Sequence, residues 1–286
     1  MLTQLSAGSA WVSVTVAAAV AAGMAALVWR FTKWQSPRWM RMLQLLYVIV
    51  LLGSLLNEVA NSWPTGHPKA VPLLLMGLAV WSVSKGVSAA ARVGVVLFWV
   101  VLLIYLAVLG AGVGEVRLQW LKPELGYVNP VSLALLLLPA GAIALMRKKQ
   151  QWSGKVFLPY LFSLTAAVVI VGVISPQVAI GMDQSFYEYS RSLSLLGVVK
   201  RLEAVASAGM TLGWFALLTI ILSMCAVQTE EIFSKGRRAS VVIVAVLGAL
   251  WLLCGLHIPQ WILPAGAAVF WVLLPLVTQE IVKRKK

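Results

Sequence analysis

Long apolar blocks constrain the fold of this chain more than any other feature. Of its 286 residues, 61% are hydrophobic and 11% charged, and the apolar residues come in runs of about twenty. A bilayer core about 30 Å thick needs about twenty helical residues per crossing. The sequence therefore predicts an all-α polytopic membrane helix bundle, a single integral membrane domain over residues 1–286. The nine predicted spans are 8–29, 42–62, 70–91, 93–113, 129–147, 156–176, 203–227, 239–257 and 260–282.

Basic residues are distributed unevenly between alternate loops. Seventeen of the twenty-three lysines and arginines fall on one side of the predicted bundle, including the clusters at 147–149 and 283–286. By the positive-inside rule this side is cytoplasmic, which puts the C-terminus in the cytoplasm and, with nine spans, the N-terminus outside. Because the basic clusters separate apolar blocks, they explain the net charge of +14 as a topology signal, and we expect no nucleic-acid partner.

Motifs for catalysis or cofactor binding are missing from the sequence. It contains no glycine-rich phosphate loop, no H-E-x-x-H metal motif and no serine, histidine and aspartate set that could assemble. His67 and His257 are isolated, so surface or boundary positions explain them better than ligation of a metal or haem. We therefore expect no enzymatic activity, no cofactor and no metal site.

A proline and a glycine interrupt the fifth apolar block. Pro139 removes a backbone donor and its ring clashes with the preceding turn, so we expect a kinked or unwound helix near the middle of this span. The backbone groups freed at such a break can bind a polar ligand. A plain proline kink, which is common in membrane helices, is the alternative.

Charged residues precede the seventh block, in the stretch VVKRLEAV. Glu203 falls in the first turn of the predicted helix, where a carboxylate complements the helix dipole, but Lys200 and Arg201 gain nothing from that dipole. We interpret Arg201 and Glu203 as a structural or gating ion pair at the outer mouth of the span, although capping and snorkelling would also suffice. Residues 177–202 mix apolar and polar positions at roughly helical spacing, which predicts a segment along the outer interface.

Several short motifs follow one another in a definite order. Gly86 to Arg92 forms G-x5-R, 121–123 forms L-x-P, 191–194 forms R-x-x-S and 201–203 forms R-L-E. Together with the P-x-G of the fifth block, this order resembles that of the spore germination permease-like family, the B subunits of GerA-type germinant receptors. The resemblance extends from about residue 11 to residue 282.

The resemblance implies a LeuT-like fold, similar to that of the amino acid-polyamine-organocation transporters. Such proteins have ten helices in two inverted five-helix repeats, with the ligand held where the first and sixth helices unwind. The nine blocks correspond to helices two to ten, so a truncated inverted-repeat bundle is expected. Either translation starts upstream or the chain is a degenerate relative. Three acidic positions of the family are Ser88, Ala142 and Lys200 here.

The resemblance also implies a function and partners. It implies a membrane subunit of a spore germinant receptor, in the inner (cytoplasmic) membrane of a spore-forming bacterium, which senses a small amino acid-like nutrient and promotes germination. The implied partners are the receptor A and C subunits, the nutrient and the lipid membrane. The expected ligand-binding residues are Pro139, Ala140 and Gly141, with Ser207 and Thr211 of the seventh block facing them.

Two other functions remain open. The chain could be a secondary transporter of amino acids or related solutes, but ion coupling normally needs an intramembrane carboxylate, and no acidic residue lies clearly at the middle of a predicted span. It could also be a degenerate structural subunit that binds no ligand, which the expected loss of the first helix favours.

Overall fold

Helices make up every regular element in the part of the chain that the structure, a computed structural model, describes. The described residues are 10–31, 37–62, 68–121, 130–145, 158–174, 185–193, 202–233, 237–259 and 261–278. The helices are α1 (Ala10–Phe31), α2 (Arg38–Asn61), α3 (Ala70–Ser84), α4 (Val87–Gly112), α5 (Pro130–Leu136), α6 (Leu138–Leu145), α7 (Leu158–Ile174), α8 (Ser185–Ser192), α9 (Glu203–Phe233), α10 (Arg237–Leu253) and α11 (Ile262–Ala267). A π-helical segment, Ala268–Leu273, continues α11.

Four of the described helices, α1, α2, α4 and α9, are long and apolar enough to cross a membrane. Five other apolar stretches in the described ranges have 10–17 residues each. Large apolar side chains are exposed along α4 and α10, among them Val96, Trp99, Leu103, Ile243, Val246 and Leu250. Such surfaces are unfavourable in water and suited to lipid. The all-α class is therefore confirmed and the fold is compatible with a membrane helix bundle, while the prediction of nine spans stays a prediction.

The break between the third and fourth predicted spans lies earlier than the sequence indicated. Helix α3 ends at Ser84, and α4 begins at Val87, so Arg92 lies inside a helix and not between two. Gly86 has a φ of 124°, a value that residues other than glycine rarely adopt. The turn is therefore placed by Gly86, whereas the sequence-based prediction placed it at Arg92.

The chain divides into two compact units. The first comprises residues 1–23, 98–136 and 151–212, and the second comprises 24–97, 137–150 and 213–286. Since the boundaries fall inside α1, α4 and α9, each of these helices contributes to both units. The prediction of one integral membrane domain stays a prediction.

The core of the first unit is built around the short helix α8. Phe186 and Tyr189 of α8 are fully buried, while Arg191 on its other side is exposed. The buried face packs on residues of α4, α7 and the start of α9, including Val108, Ile170 and Met210. The amphipathic helix that the sequence predicted within 177–202 is thus present at Ser185–Ser192. Its position relative to a membrane stays a prediction.

In the second unit, α2 packs against α3, α10 and the π segment. Leu51, Leu52, Leu55 and Leu56 of α2 are all inaccessible to solvent. Gly53 allows α2 to pack closely against α10, because a Cβ atom at this position would overlap the indole of Trp251 in α10. Buried apolar residues of α2 and a glycine contact with α10 therefore hold this unit together.

Helix α10 ends in a Schellman motif centred on Gly255. The N–H of Leu256 donates to the carbonyl of Trp251 at 3.2 Å, and the N–H of Gly255 donates to that of Leu252 at 3.3 Å. Two side chains donate to carbonyls on either side of Gly255. Lys69 Nζ donates to Leu253 O at 3.3 Å, and Asn57 Nδ2 donates to Leu256 O at 3.1 Å. A cation and an amide thus satisfy the carbonyl end of the helix.

We expect Gly255→Ala to destabilise the protein by roughly 1 kcal/mol, because Gly255 has a φ of 64° and a Cβ atom is unfavourable in the left-handed region. Its surroundings are open, so no steric clash contributes. The measurement is the thermal unfolding midpoint in detergent. Gly77→Ala in α3, where the space is equally open, is the control and should not lower the midpoint. Equal midpoints in the two variants would contradict the prediction.

Candidate functional site

The fifth apolar block is interrupted at Leu137. Helix α5 ends at Leu136 and α6 begins at Leu138, so Pro139 occupies the first turn of a helix, where no backbone donor is needed. The predicted interruption is confirmed and lies two residues before the proline. In the first unit, the hydroxyl of Tyr160 donates to the carbonyl of Leu136 at 2.9 Å. A buried side chain therefore satisfies one of the backbone groups freed by the break.

Gly141 of α6 lies against the indole of Trp271 in the second unit. A Cβ atom on Gly141 would be 2.5 Å from Trp271 Cδ2. The Trp271 ring also meets Tyr47 of α2 edge to face, with ring centroids 5.1 Å apart. Trp271 is completely buried, and its Nε1–H has no acceptor among the described residues. The P-x-G segment thus adjoins a buried, unused hydrogen-bond donor.

The π segment that carries Trp271 has a cause in the sequence. The N–H of Leu274 donates to the carbonyl of Val269, five residues earlier. The next π-type bond would join the carbonyl of Phe270 to the N–H of residue 275, but residue 275 is a proline. With Leu274 already engaged, the Phe270 carbonyl has no partner within its own helix. Gln44 Nε2 of α2 supplies one at 2.9 Å.

Gln44 connects this carbonyl to α9. Gln44 is 0% exposed and Gln228 of α9 is 1% exposed, although both lie among apolar residues. Gln228 Nε2 is 3.5 Å from Gln44 Oε1, a long hydrogen bond. Gln228 Oε1 has no donor among the described residues. Gln44, Gln228, Phe270 and Trp271 form what we call the polar cluster of the second unit.

An ion pair lies one helical turn beyond the polar cluster. Arg41 Nη1 of α2 contacts Glu231 Oε2 of α9, with side-chain exposures of 12% and 31%. Arg41 is three residues before Gln44, and Glu231 is three residues after Gln228, so the two contacts stack along an antiparallel helix pair. The charges of Arg41 and Glu231 therefore neutralise each other.

The predicted ligand-binding residues fall in different units. Pro139 is half-buried, and Ala140 and Gly141 are buried, all in the second unit. Ser207 and Thr211 are half-buried residues of the first unit. The hydroxyl of Thr211 donates to the carbonyl of Ser207 at 2.8 Å. That Ser207 and Thr211 face the P-x-G segment stays a prediction.

The predicted ion pair of Arg201 and Glu203 involves a residue outside the described ranges, namely Arg201. Glu203 begins α9 as expected, and its Oε2 is 4.0 Å from Arg191 Nε of α8. Arg191 Nη1 also lies 3.4 Å from Glu188 Oε2. Because these side chains are partly or fully exposed, each ion pair contributes at most about 1 kcal/mol to the stability of the protein. Glu203 therefore has a partner, Arg191, that the sequence did not indicate, and its pairing with Arg201 stays a prediction.

His257 is exposed after the end of α10, which agrees with the predicted surface or boundary position. His67 lies outside the described residues. Within the described residues, no group of three histidine, cysteine or acidic side chains could hold a metal ion.

Sequence reasoning missed Gln44, Gln228 and Trp271. A signal existed for the glutamines, since each is an uncharged polar residue next to or within a predicted apolar span. A polar side chain in such a position is expected to be hydrogen-bonded to another helix. Trp271 gave no such signal, because a tryptophan in an apolar block is equally suited to lipid or to a protein interior.

Comparisons with known proteins identify no relative: no family model, no curated protein and no solved structure matches the chain. The local geometry of the second unit is therefore the basis for a functional assignment.

Proposed function

We propose that this chain is a membrane-embedded sensing subunit that binds a small hydrogen-bonding solute beside the P-x-G segment of α6. The observation that carries the proposal is the Trp271 Nε1–H, which is buried without an acceptor among the described residues, on an indole whose carbons lie against Gly141. A buried donor without a partner costs roughly 1–3 kcal/mol. A solute that accepts this hydrogen bond would recover that cost.

The biological setting we propose follows the resemblance to germinant receptor B subunits. In that setting the solute is a small amino acid-like nutrient, the partners are the receptor A and C subunits, and the signal promotes spore germination. Binding would act by favouring one of two helix arrangements, in proportion to the difference in affinity between them. The interruption at Leu137 supports this setting, because broken helices provide the ligand sites of many transporters.

A test uses the purified protein in lipid nanodiscs and a panel of radiolabelled amino acids and sugars. Trp271→Phe keeps the aromatic ring and removes the donor, so we expect the affinity for the bound solute to fall about tenfold. Trp251→Phe is the matched control, because Trp251 Nε1 is also buried without an acceptor among the described residues but its ring lies against Gly53.

Gly53 is nine residues from Gln44 along α2, which is about 14 Å by helical rise. The Trp251→Phe variant should therefore bind like the unmodified protein. Equal losses in the two variants, or no binding to any member of the panel, would contradict the proposed function.

A secondary transporter is the second candidate, and Glu58 favours it. The Glu58 side chain is buried, at 8% exposure, one turn before the end of α2. Buried carboxylates within spans often belong to ion or proton pathways. Reconstituted liposomes distinguish the candidates: a transporter accumulates the solute under an imposed pH gradient, and a sensing subunit binds it without net flux.

A further inference from the structure

Gln228 carries the second unused polar atom of the polar cluster. Its side chain extends from α9 into an apolar interior, and its Oε1 is buried with no donor among the described residues. Buried polar atoms in native proteins are almost always hydrogen-bonded, so an unpaired one calls for a specific explanation.

The hydrogen-bond chain fixes the orientation of both amides. The carbonyl of Phe270 can only accept, so Gln44 must direct its Nε2 toward it. Gln44 therefore presents Oε1 to α9, and Gln228 must direct its own Nε2 toward Gln44. The free atom of Gln228 is consequently an acceptor, and the usual ambiguity between amide oxygen and nitrogen does not affect this conclusion.

The surrounding charges indicate what this acceptor would bind. Arg41 and Glu231, one turn away along α2 and α9, pair with each other. A fully charged group buried beside Gln228 would pay a large desolvation cost. An uncharged donor, such as a hydroxyl or an amide N–H, would complete the hydrogen bonding at low cost.

We propose that Gln228 is a specificity-determining residue of the candidate site and accepts a hydrogen bond from a hydroxyl or amide N–H of the solute. This inference rests on the proposed function. Gln44 links Gln228 to Phe270, and the next residue, Trp271, packs on the P-x-G segment at Gly141. The same cluster thus offers the solute one donor, from Trp271, and one acceptor, from Gln228.

The test compares solutes of similar size with and without such a donor on the side chain. L-serine is paired with L-alanine, and L-asparagine with L-leucine, in equilibrium binding to the full chain in nanodiscs. The wild-type protein should bind the donor-bearing member of at least one pair about tenfold or more tightly. Gln228→Met, which keeps the length of the side chain and removes the acceptor, should bring that ratio close to one.

Ser223→Ala is the matched control. It removes another buried polar group of α9, but the Ser223 hydroxyl donates to the carbonyl of Thr219 at 2.7 Å within the helix. Its binding ratios should therefore equal those of the wild-type protein. Gln228→Met also removes the Nε2–H that donates to the buried Gln44 Oε1 at 3.5 Å, so a loss of stability of about 1–3 kcal/mol is expected. Gln228→Leu is measured in parallel, and both variants are checked by thermal unfolding.

The outcomes separate this inference from the proposed function. Affinity ratios near one in the wild-type protein, as expected if an internal water binds Gln228, would overturn the inference. An affinity ratio that is unchanged in Gln228→Met would also overturn it. If Trp271→Phe weakens binding while the pairs are not distinguished, only the role of Gln228 is wrong. If none of the four probes binds the wild-type protein, the role of Gln228 is wrong, and the proposed function is also wrong only if no member of the radiolabelled panel binds.

Discussion

Gly141→Ala is expected to lower the thermal unfolding midpoint of the protein and to displace the indole of Trp271. The added Cβ atom would be within 3 Å of three indole carbons, the nearest at 2.5 Å. The ring cannot easily move away, because it is fully buried and meets Tyr47 on another side. Overpacking of this kind costs about 1–3 kcal/mol. Differential scanning fluorimetry in detergent measures the change.

Gly213→Ala in α9 is the matched control for Gly141→Ala. Gly213 is a half-buried helical glycine, and nothing lies within 4 Å of the position of an added Cβ atom. Because alanine favours a helix over glycine, this variant should be unchanged or more stable by roughly 0.5–1 kcal/mol. The two substitutions therefore have opposite expected signs, although the chemical change is the same.

A double-mutant cycle identifies the cause of the Gly141→Ala effect. Trp271→Leu removes the ring that the new Cβ atom would strike, so Gly141→Ala should cost much less in that background. If Gly141→Ala costs the same with and without the ring, backbone geometry and not the indole explains the glycine. If Gly141→Ala has no effect in either background, the close packing of Gly141 and Trp271 is wrong.

Helix positions could be predicted from the sequence where apolar length decides them. Helix α2 begins at Arg38, four residues before its predicted block, and α9 starts at Glu203 as predicted. The end of α9 was harder to predict. The helix reaches Phe233, six residues past the predicted span, because the residues QTEEIF favour a helix despite their charges. Hydropathy marks the part of a helix suited to lipid, and the helix itself can extend beyond it.

The candidate site could be predicted only in part, for a physical reason. Pro139 predicts a break because its effect is local, on the carbonyl four residues earlier. The role of Gln44 depends on Pro275, more than two hundred residues away, which leaves the Phe270 carbonyl without a donor. The sequence contains both residues, but only the packing of α2 on the last helix shows that one compensates for the other.

Gly112→Ala is expected to destabilise the first unit by loosening α8. The Cβ atom of alanine would overlap the hydroxyl of Tyr189, which is fully buried and donates to the carbonyl of Leu109 at 3.0 Å. Burial also raises the pKa of the Tyr189 phenol, so the hydroxyl remains a donor at physiological pH. Gly112 has a φ of −100°, which alanine tolerates, and the expected loss of about 1–3 kcal/mol is therefore steric.

Gly110→Ala, two residues earlier in α4, separates this steric effect from a general effect of alanine. Nothing lies within 4 Å of its Cβ position, so the variant should be at least as stable as the unmodified protein. Tyr189→Phe removes the hydroxyl oxygen, the atom nearest to the added Cβ atom, and by itself should lower the free energy of unfolding by only about 0.5–1.5 kcal/mol. In the Tyr189→Phe background, Gly112→Ala should then lose part of its effect, as measured by proteolysis or hydrogen exchange at residues 185–193. An unprotected α8 in the unmodified protein would contradict the packing of Tyr189 against Gly112, because a fully buried helix face requires protection from exchange.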